Sequence, residues 1–191
     1  MTPKSLLNPN HTVEGKTVIG SIGRLAYQKN YEFLVRNWSE IKERYPDAVC
    51  TVIGDGPDRE GLEIKVEEEG VKDSFFFAGE IPDAARLLKA FDIFTLPSRY
   101  EGLSITTIEA LFANVPMLIT KTGGNPEVLG SSEEFLFEVD ADGEFKEKLL
   151  AILESDELKE KFRAVSSKEA YRFSISETAN GYEAVYKNGK K

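Results

Sequence analysis

The feature that most constrains this chain is a regular alternation of short apolar segments with longer stretches that carry apolar residues at helical spacing. The apolar segments span residues 16–22, 48–54, 74–79, 92–98, 116–120 and 134–139. Strands that alternate with helices require crossover connections, which place the strands parallel in one sheet. The pattern therefore predicts a single Rossmann-like, doubly wound α/β domain with a six-stranded, mainly parallel sheet, followed by C-terminal helices.

Length and the position of the first strand set the expected domain boundaries. The chain has 191 residues, enough for one domain with a sizeable core. Residues 1–15 are mostly polar and contain Pro3 and Pro9, as is typical of a linker or arm. We therefore expect an arm over residues 1–15 and one α/β domain over residues 16–191.

Charge and cysteine content exclude several classes of protein. The net charge of -9 disfavours a general nucleic-acid binder, because such a surface repels phosphate backbones. A single cysteine, Cys50, cannot form a disulfide within the chain, and no apolar segment approaches the length of about 20 residues that crosses a bilayer. We expect a cytoplasmic protein without a transmembrane segment and without a nucleic-acid partner.

Ligands of doubly wound folds bind beyond the carboxyl ends of the strands, which directs attention to the loops there. The loop after the first strand contains Gly23, Arg24 and Lys29. Two cations next to a helix N-terminus are suited to holding phosphate, although basic residues in loops are often simply solvated.

The loop over residues 54–61, GDGPDREG, is similar to the glycine fingerprint of dinucleotide-binding enzymes but does not satisfy it. Arg59 stands where the third glycine or alanine is needed, and the loop follows the second strand instead of the first. The sequence also lacks the lysine-containing phosphate-binding loop of P-loop nucleoside triphosphatases. These absences weaken an oxidoreductase or triphosphatase interpretation.

The loop after the fourth strand carries the strongest chemical signal. Ser104 is a good helix N-cap, which would leave the amides of residues 105–107 free to bind an anion. Glu101 and Glu109 flank these amides, at most about 12 Å apart if the segment is helical. A carboxylate, amides and a second carboxylate match a nucleotide sugar, which has hexose hydroxyls, a diphosphate and ribose hydroxyls in that order. The alternative is that Glu101 is a solvated loop charge and Glu109 a charge on the exposed face of a helix.

Two patterns that could indicate a metal site have simpler explanations. Residues 140–144, DADGE, contain an Asp-x-Asp pair at a predicted strand-to-helix junction, where aspartate caps helices. The segment lacks the glycine position and terminal glutamate of a calcium loop. His11 is the only histidine and lies in the polar arm. We expect no metal site.

Taken together, the loops make the chain resemble the C-terminal, donor-binding domain of GT-B-fold retaining glycosyltransferases, specifically the large family 4 group. The resemblance covers essentially all of the chain after the arm, and its most specific part is the Glu-x7-Glu pattern formed by Glu101 and Glu109. The matching segments are GSIGRLAYQKN, VIGDGPDREGL, FFFAGEI, ARLLKAFDIFTLPSRYEGLSITTIEAL, PMLITKTGGNPEV and YRFSISETANGYEAVYK.

The resemblance implies a role for individual residues. Arg24 and Lys29 would bind the donor diphosphate, Glu101 would contact hydroxyls of the transferred sugar, and Glu109 would hold the ribose. The set of expected donor-binding positions is completed by Gly23, Gly79, Glu80, Ile81, Leu103 and Ser104. Among these, the amides of residues 103 and 104 would face the phosphates, and the backbone over residues 79–81 would meet the base. Similar enzymes need no metal and no cofactor beyond a UDP- or GDP-linked sugar.

The sequence also departs from the family pattern. Asn30 and Ser104 stand where the family often has glycine, and the 191 residues include no second α/β domain of the kind that binds the acceptor in family members. We therefore expect the donor-binding half of a hexosyltransferase of polysaccharide biosynthesis, with an acceptor-binding domain supplied in cis or in trans. We expect the parent protein to be an enzyme. Whether it associates peripherally with the inner membrane surface stays open. Activity of the isolated chain stays open, and the alternative is a non-catalytic binding or assembly module that keeps the fold.

Overall fold

A computed structural model describes residue 7 and residues 13–188, and its centre is a six-stranded sheet. All strand pairings are parallel, and the strand order is β3-β2-β1-β4-β5-β6. The predicted doubly wound α/β domain with a six-stranded parallel sheet is confirmed. The strands are β1 (Thr17–Ile22), β2 (Ala48–Ile53), β3 (Phe75–Gly79), β4 (Ile93–Leu96), β5 (Met117–Thr120) and β6 (Leu136–Phe137).

Helices connect the strands and follow the last one. The α-helices are α1 (Tyr31–Arg44), α2 (Arg59–Glu68), α3 (Ile105–Phe112), α4 (Asn125–Val128), α5 (Asp142–Glu154), α6 (Asp156–Glu169) and α7 (Ile175–Asn188). Two predicted elements differ in form. Residues Ala84–Ala90 form a 3-10 helix, and β6 is reduced to two residues because Glu133–Phe135 coil into a 3-10 turn before it.

Two helical layers cover the sheet. Helix α1 contacts α2 and α5 on one side, while α3 contacts the 3-10 helix Ala84–Ala90 and α4 on the other. Strands β1 and β2 pair along their whole length and are largely buried, as the continuous apolar segments predict for strands covered on both faces. Rings of Phe33, Phe137 and Phe145, with centroids 5.0 to 5.6 Å apart, join α1, β6 and α5 in the core.

The order in which the chain adds strands to the sheet reverses between β1 and β4. From β1 the next strands run outward through β2 to β3, and after the return crossover the strands run outward the other way through β4 and β5 to β6. Loops that leave β1 and β4 therefore diverge to opposite layers and open a crevice at their carboxyl ends, which is where doubly wound folds bind ligands.

The acidic segment over residues 140–144 has a structural role different from the one we expected. Ala141 occupies the N-cap position of α5 without a side-chain cap, so the expectation that aspartate caps this helix is wrong. Instead Arg36 on α1 donates to Asp142 at 2.9 Å and to Asp140 at 3.1 Å. These contacts tie α5 to α1, because the guanidinium offers several donors in a fixed plane.

Part of the predicted arm contributes to the core. Leu7 and Val13 both lie within residues 1–15, and both are buried. His11 lies outside the described residues. Within the described part of the chain, no helix is both long enough and apolar enough to cross a membrane.

Candidate functional site

A buried ion pair joins the loops that leave β1 and β4. Lys29 Nζ lies 2.6 Å from Glu101 Oε1, and the Ser98 hydroxyl donates to the same oxygen at 2.6 Å. The side chains of Lys29 and Glu101 are only 17% and 6% exposed. The alternative that Glu101 is a solvated loop charge is therefore wrong, and the pair lies in the crevice where the strand order reverses.

Asn30 fixes the position of Lys29. Residues Tyr27–Lys29 form a 3-10 turn, and Asn30 then adopts a left-handed conformation with φ of 56° before α1 begins. Only glycine and, less often, asparagine or aspartate adopt this region readily, which explains why asparagine replaces glycine here. The Asn30 amide also donates to Pro97 O at 3.2 Å and to Asp140 Oδ1 at 3.1 Å. The turn that presents Lys29 is thus anchored to the end of β4.

The backbone at Glu101 is held from behind by two glycines after β5. Gly124 N donates to Gly102 O at 2.7 Å. Gly123 has φ of +52°, and a Cβ atom there would lie 1.8 Å from Glu101 O. The loop after β5 therefore approaches Glu101 more closely than any side chain would allow, and this close packing fixes the backbone that carries the carboxylate.

An open cavity of about 440 Å³ lies on the other side of the β1 loop. Its lining includes four of the predicted positions, Gly23, Arg24, Glu80 and Ile81. Gly54 lets the loops around this cavity approach one another closely. It has φ of +141°, and its amide donates to Gly79 O at 2.8 Å. A Cβ atom on Gly54 would lie 2.1 Å from Gly23 O. The structure thus brings the β1 and β3 loops together.

Arg24 contrasts with Lys29 in its surroundings. The Arg24 side chain is exposed, and its guanidinium forms no ion pair or hydrogen bond with the residues that the structure describes. A Cβ atom on Gly23 would lie 3.4 Å from the Lys29 side chain, although Lys29 and Glu101 themselves do not line the cavity. The two predicted phosphate-binding cations therefore flank the same glycine, one exposed and one paired.

The start of α3 supplies free backbone donors. Ser104 is the N-cap, as predicted, and accepts from Thr107 N at 3.3 Å. The expectation that all amides of residues 105–107 stay unpaired is therefore wrong for Thr107. The amides of residues 103–106 donate to no acceptor among the described residues. These donors and the positive end of the helix dipole favour an anion beside Glu101.

Glu109 lies in a different environment from Glu101. It is half-buried, and its carboxylate makes no hydrogen bond or ion pair with the described part of the chain. Residues Ile105 and Phe112 lie four positions before it and three after it, and both are exposed, at 72% and 53%. Glu109 thus belongs to the outward side of α3, and no described contact joins it to Glu101.

Sequence reasoning did not find three residues that shape the site. Ser98 donates to Glu101, and the buried Thr120 hydroxyl donates to Ser98 O at 2.8 Å. Tyr31 is buried with its hydroxyl accepting from Ser21 Oγ at 3.2 Å, and burial raises the pKa of Tyr31 well above its ordinary value. The signal for Ser98 was its place at a strand end three residues before Glu101. Among the described residues, no cluster of three or more metal-ligating side chains forms.

Comparison with known proteins identifies the family. Residues 5–169 match the family model described as glycosyl transferases group 1. Among curated relatives, 2-deoxystreptamine glucosyltransferase of Streptomyces kanamyceticus is 34% identical over 119 residues, which cover 61% of this chain and 31% of the relative. The chain spans about a third of the length of the curated relatives it matches.

Two solved structures show the same fold. Anabaena HepE in complex with UDP aligns with a TM-score of 0.84 at 19% identity, covering 97% of this chain and 53% of HepE. The C-terminal domain of LpcC, a glycosyl transferase group 1 family protein from Francisella tularensis, aligns with a TM-score of 0.76 at 24% identity, covering 91% of this chain and 94% of that domain. The sheet and its helical layers are therefore those of one half of a GT-B structure.

Proposed function

The chain belongs to the family of glycosyl transferases group 1, and we propose that it forms the donor-binding half of a retaining hexosyltransferase. The observation that carries the proposal is the Lys29–Glu101 pair, 2.6 Å apart beside unpaired amides in the crevice between the β1 and β4 loops. A cation, a carboxylate and free amides in one crevice suit a substrate with both phosphates and hydroxyls. The proposed substrate is a UDP- or GDP-linked hexose, with no further cofactor and no metal.

The diphosphate would bind at the junction of the β1 loop and α3. Arg24 and Lys29 supply positive charge, and the amides of Leu103 and Ser104 supply directed donors. When the bond between the sugar and the diphosphate breaks, negative charge grows on the departing oxygen. Fixed donors and cations stabilise that charge because they are already in place, which lowers the barrier to transfer.

The two ends of the donor would lie on either side of the phosphates. Glu101 would accept hydrogen bonds from hydroxyls of the transferred hexose, and Glu109 would accept from the ribose. The base would lie in the cavity of about 440 Å³, against the backbone of residues 79–81. This assignment follows the order of groups in a nucleotide sugar and is supported by the cavity that links Gly23 to Ile81.

Transfer itself would need an acceptor. The acceptor hydroxyl oxygen would bond to the anomeric carbon on the face that the diphosphate leaves, and the bond from that carbon to the diphosphate oxygen would break. The hydroxyl proton would pass to the departing diphosphate, which leaves as nucleoside diphosphate. A hexose is supported by the Streptomyces kanamyceticus relative, which is a glucosyltransferase. We place the reaction in the cytoplasm, where the free, buried thiol of Cys50 stays reduced.

An acceptor-binding domain, in cis or in trans, is the proposed partner. Helix α7 supports this, because its apolar residues repeat at helical spacing and yet face solvent. Tyr182, Val185 and Tyr186 are all more than half exposed in the part of the chain that the structure describes. An apolar helix face of this kind marks a protein-protein contact.

A melting panel tests donor binding. UDP, GDP and ADP, each alone and linked to a hexose, are added to the purified chain at saturating concentration. A ligand at 100 times its dissociation constant stabilises by about 2.7 kcal/mol, so UDP or GDP is expected to raise the melting temperature measurably. Lys29→Ala and Glu109→Ala should each reduce this rise, whereas Lys72→Ala, which removes an exposed lysine paired with Glu67, should not. If no nucleotide shifts the melt, a non-catalytic binding or assembly module becomes the better account.

A further inference from the structure

The ammonium group proposed to bind the donor diphosphate already has a strong partner in the protein. Lys29 Nζ lies 2.6 Å from Glu101 Oε1, and both side chains are largely buried. A phosphate oxygen that takes a hydrogen bond from Lys29 must therefore share this ammonium with Glu101 or take it away. We propose that the Lys29–Glu101 pair makes the site select a nucleotide sugar over the sugar-free nucleoside diphosphate, an inference that rests on the proposed donor-binding function.

Competition for Lys29 is costly because Glu101 has few other partners. Its carboxylate accepts from Ser98 Oγ at 2.6 Å and from Lys29, and the side chain is only 6% exposed. A buried carboxylate that loses its cation pays a desolvation cost that water does not repay. The incoming diphosphate adds repulsion, because it brings more negative charge close to the same carboxylate.

The backbone around the pair leaves Glu101 little freedom to move away. Gly123 approaches Glu101 O so closely that even a Cβ atom would lie 1.8 Å from it, and Gly124 N donates to Gly102 O at 2.7 Å. Lys29 is followed by Asn30, whose amide is fixed to Pro97 O and Asp140. The competition is therefore settled by hydrogen bonds within the site and not by loop movement.

A sugar resolves the conflict that a diphosphate alone creates. Hexose hydroxyls are donors, so they can replace Lys29 at the Glu101 carboxylate while the ammonium turns to the phosphates. After transfer the sugar is gone, Glu101 keeps only the Ser98 hydroxyl as a donor, and the Lys29–Glu101 pair re-forms at the expense of phosphate contacts. The pair thus weakens binding of the leaving nucleoside diphosphate and assists its release.

A double-mutant cycle measured by calorimetry tests the inference. UDP, GDP and their hexose-linked forms are titrated into wild-type protein, Glu101→Gln, Lys29→Met and the double variant. Glutamine keeps the shape of the side chain but removes the charge that competes for Lys29, so Glu101→Gln should bind UDP or GDP about tenfold more tightly. Its preference for the hexose-linked form should shrink accordingly. In the Lys29→Met background the Glu101→Gln change should strengthen UDP or GDP binding clearly less than it does in wild type, because only the direct repulsion between Glu101 and the diphosphate remains to be removed.

Two further variants make the result interpretable. Glu67→Gln breaks an exposed Lys–Glu pair, Lys72–Glu67 at 3.0 Å, and should leave every affinity unchanged. Ser98→Ala removes the hydroxyl that still donates to Glu101 when a diphosphate has taken Lys29 away. This variant should therefore weaken binding of UDP or GDP more than binding of the hexose-linked forms. This second variant keeps the inference testable if Glu101→Gln does not fold.

The outcomes separate this inference from the proposed function. If nucleotides bind but Glu101→Gln binds UDP and GDP no more tightly than wild type, with the same preference for the sugar-linked form, the selection role of the pair is wrong and donor binding stands. If no nucleotide or nucleotide sugar binds the wild-type chain, the proposed function and this inference both fail.

Discussion

Glu101 and Glu109 belong to one sequence pattern, but the structure places them in opposite situations. Glu101 is buried, paired with Lys29 and fixed by Ser98. Glu109 is half-buried on the outward side of α3, and its carboxylate has no partner among the residues described. One carboxylate is held in place by the fold, and the other is available to a ligand without breaking any contact.

This difference separates stability from binding. A group that the fold already satisfies contributes to stability, and a ligand must offer a replacement for what it displaces. A group without a partner contributes little to stability and offers its full capacity to a ligand. Changes on the Glu101 side should therefore alter both properties, whereas changes at Glu109 should alter binding alone.

The largest expected effect comes from removing the support behind Glu101. Gly123→Ala would place a Cβ atom 1.8 Å from Glu101 O at a residue with φ of +52°. Relief of this overlap requires the loops after β4 and β5 to move apart, and we expect a loss of about 3 kcal/mol in the free energy of unfolding. Urea unfolding followed by circular dichroism measures it. Gly143→Ala, where a Cβ atom meets nothing within 4 Å, is the matched control and should be neutral or slightly stabilising. Equal stability of the two variants would show that the glycine contact does not hold Glu101.

The two glutamates can be compared directly by truncation. Glu101→Ala leaves Lys29 largely buried without its partner and should lower the free energy of unfolding by about 2 kcal/mol. Glu109→Ala removes no described contact and should change it by less than about 0.5 kcal/mol. The same urea experiment compares both variants with wild type. A larger loss for Glu109→Ala would contradict the contrast drawn between them.

Nucleotide binding should show the complementary effect at Glu109. Loss of a carboxylate that accepts from ribose hydroxyls should weaken binding of UDP or GDP about tenfold in Glu109→Ala, which corresponds to about 1.4 kcal/mol. Calorimetric titration measures the dissociation constant. Glu183→Ala on the exposed helix α7 serves as a control with the same change of charge, and it should bind like wild type. An unchanged affinity in Glu109→Ala would remove that residue from the site.

The smallest expected effect concerns pH and lies outside the crevice. A hydrogen bond from Arg36 lowers the pKa of Asp142, and hydrogen bonds from Asn30 and then Arg36 lower the pKa of Asp140. Since both pKa values lie below their ordinary 3.8, this stabilisation is present above pH 3.8 and is lost as the pH falls through the lower folded values. Arg36→Gln should thus cost under about 1 kcal/mol at neutral pH, after solvent screening, and progressively less below pH 3.8. The free energy of unfolding of wild type and Arg36→Gln, measured across this pH range, checks the trend. Arg163→Gln, which breaks the exposed Arg163–Glu160 pair, is the control. A cost that persists unchanged at low pH would show that the carboxylates are not its source.

The sequence allowed the fold to be predicted because its signals are local. Apolar segments, helical spacing and caps such as Ser104 depend on neighbours in the chain, and most of them appear where they were expected, although the predicted aspartate cap of α5 does not form. The Lys29–Glu101 pair could not be predicted, because it joins residues 72 positions apart and depends on how the β1 and β4 loops meet. For the same reason the burial of Leu7 and the contact of Arg36 with Asp140 and Asp142 were not foreseen. Spacing gave both glutamates equal weight, and only packing distinguishes them.

A crystal structure of the chain with a bound UDP- or GDP-linked hexose tests the central claim most directly. We predict hexose hydroxyls within hydrogen-bond distance of the Glu101 carboxylate, the diphosphate against Lys29 and the amides of Leu103 and Ser104, and ribose hydroxyls at Glu109. We also predict that Lys29 Nζ moves away from Glu101 Oε1, from which it now lies 2.6 Å. A nucleotide sugar bound elsewhere, or one bound here with its hexose away from Glu101, would contradict the account.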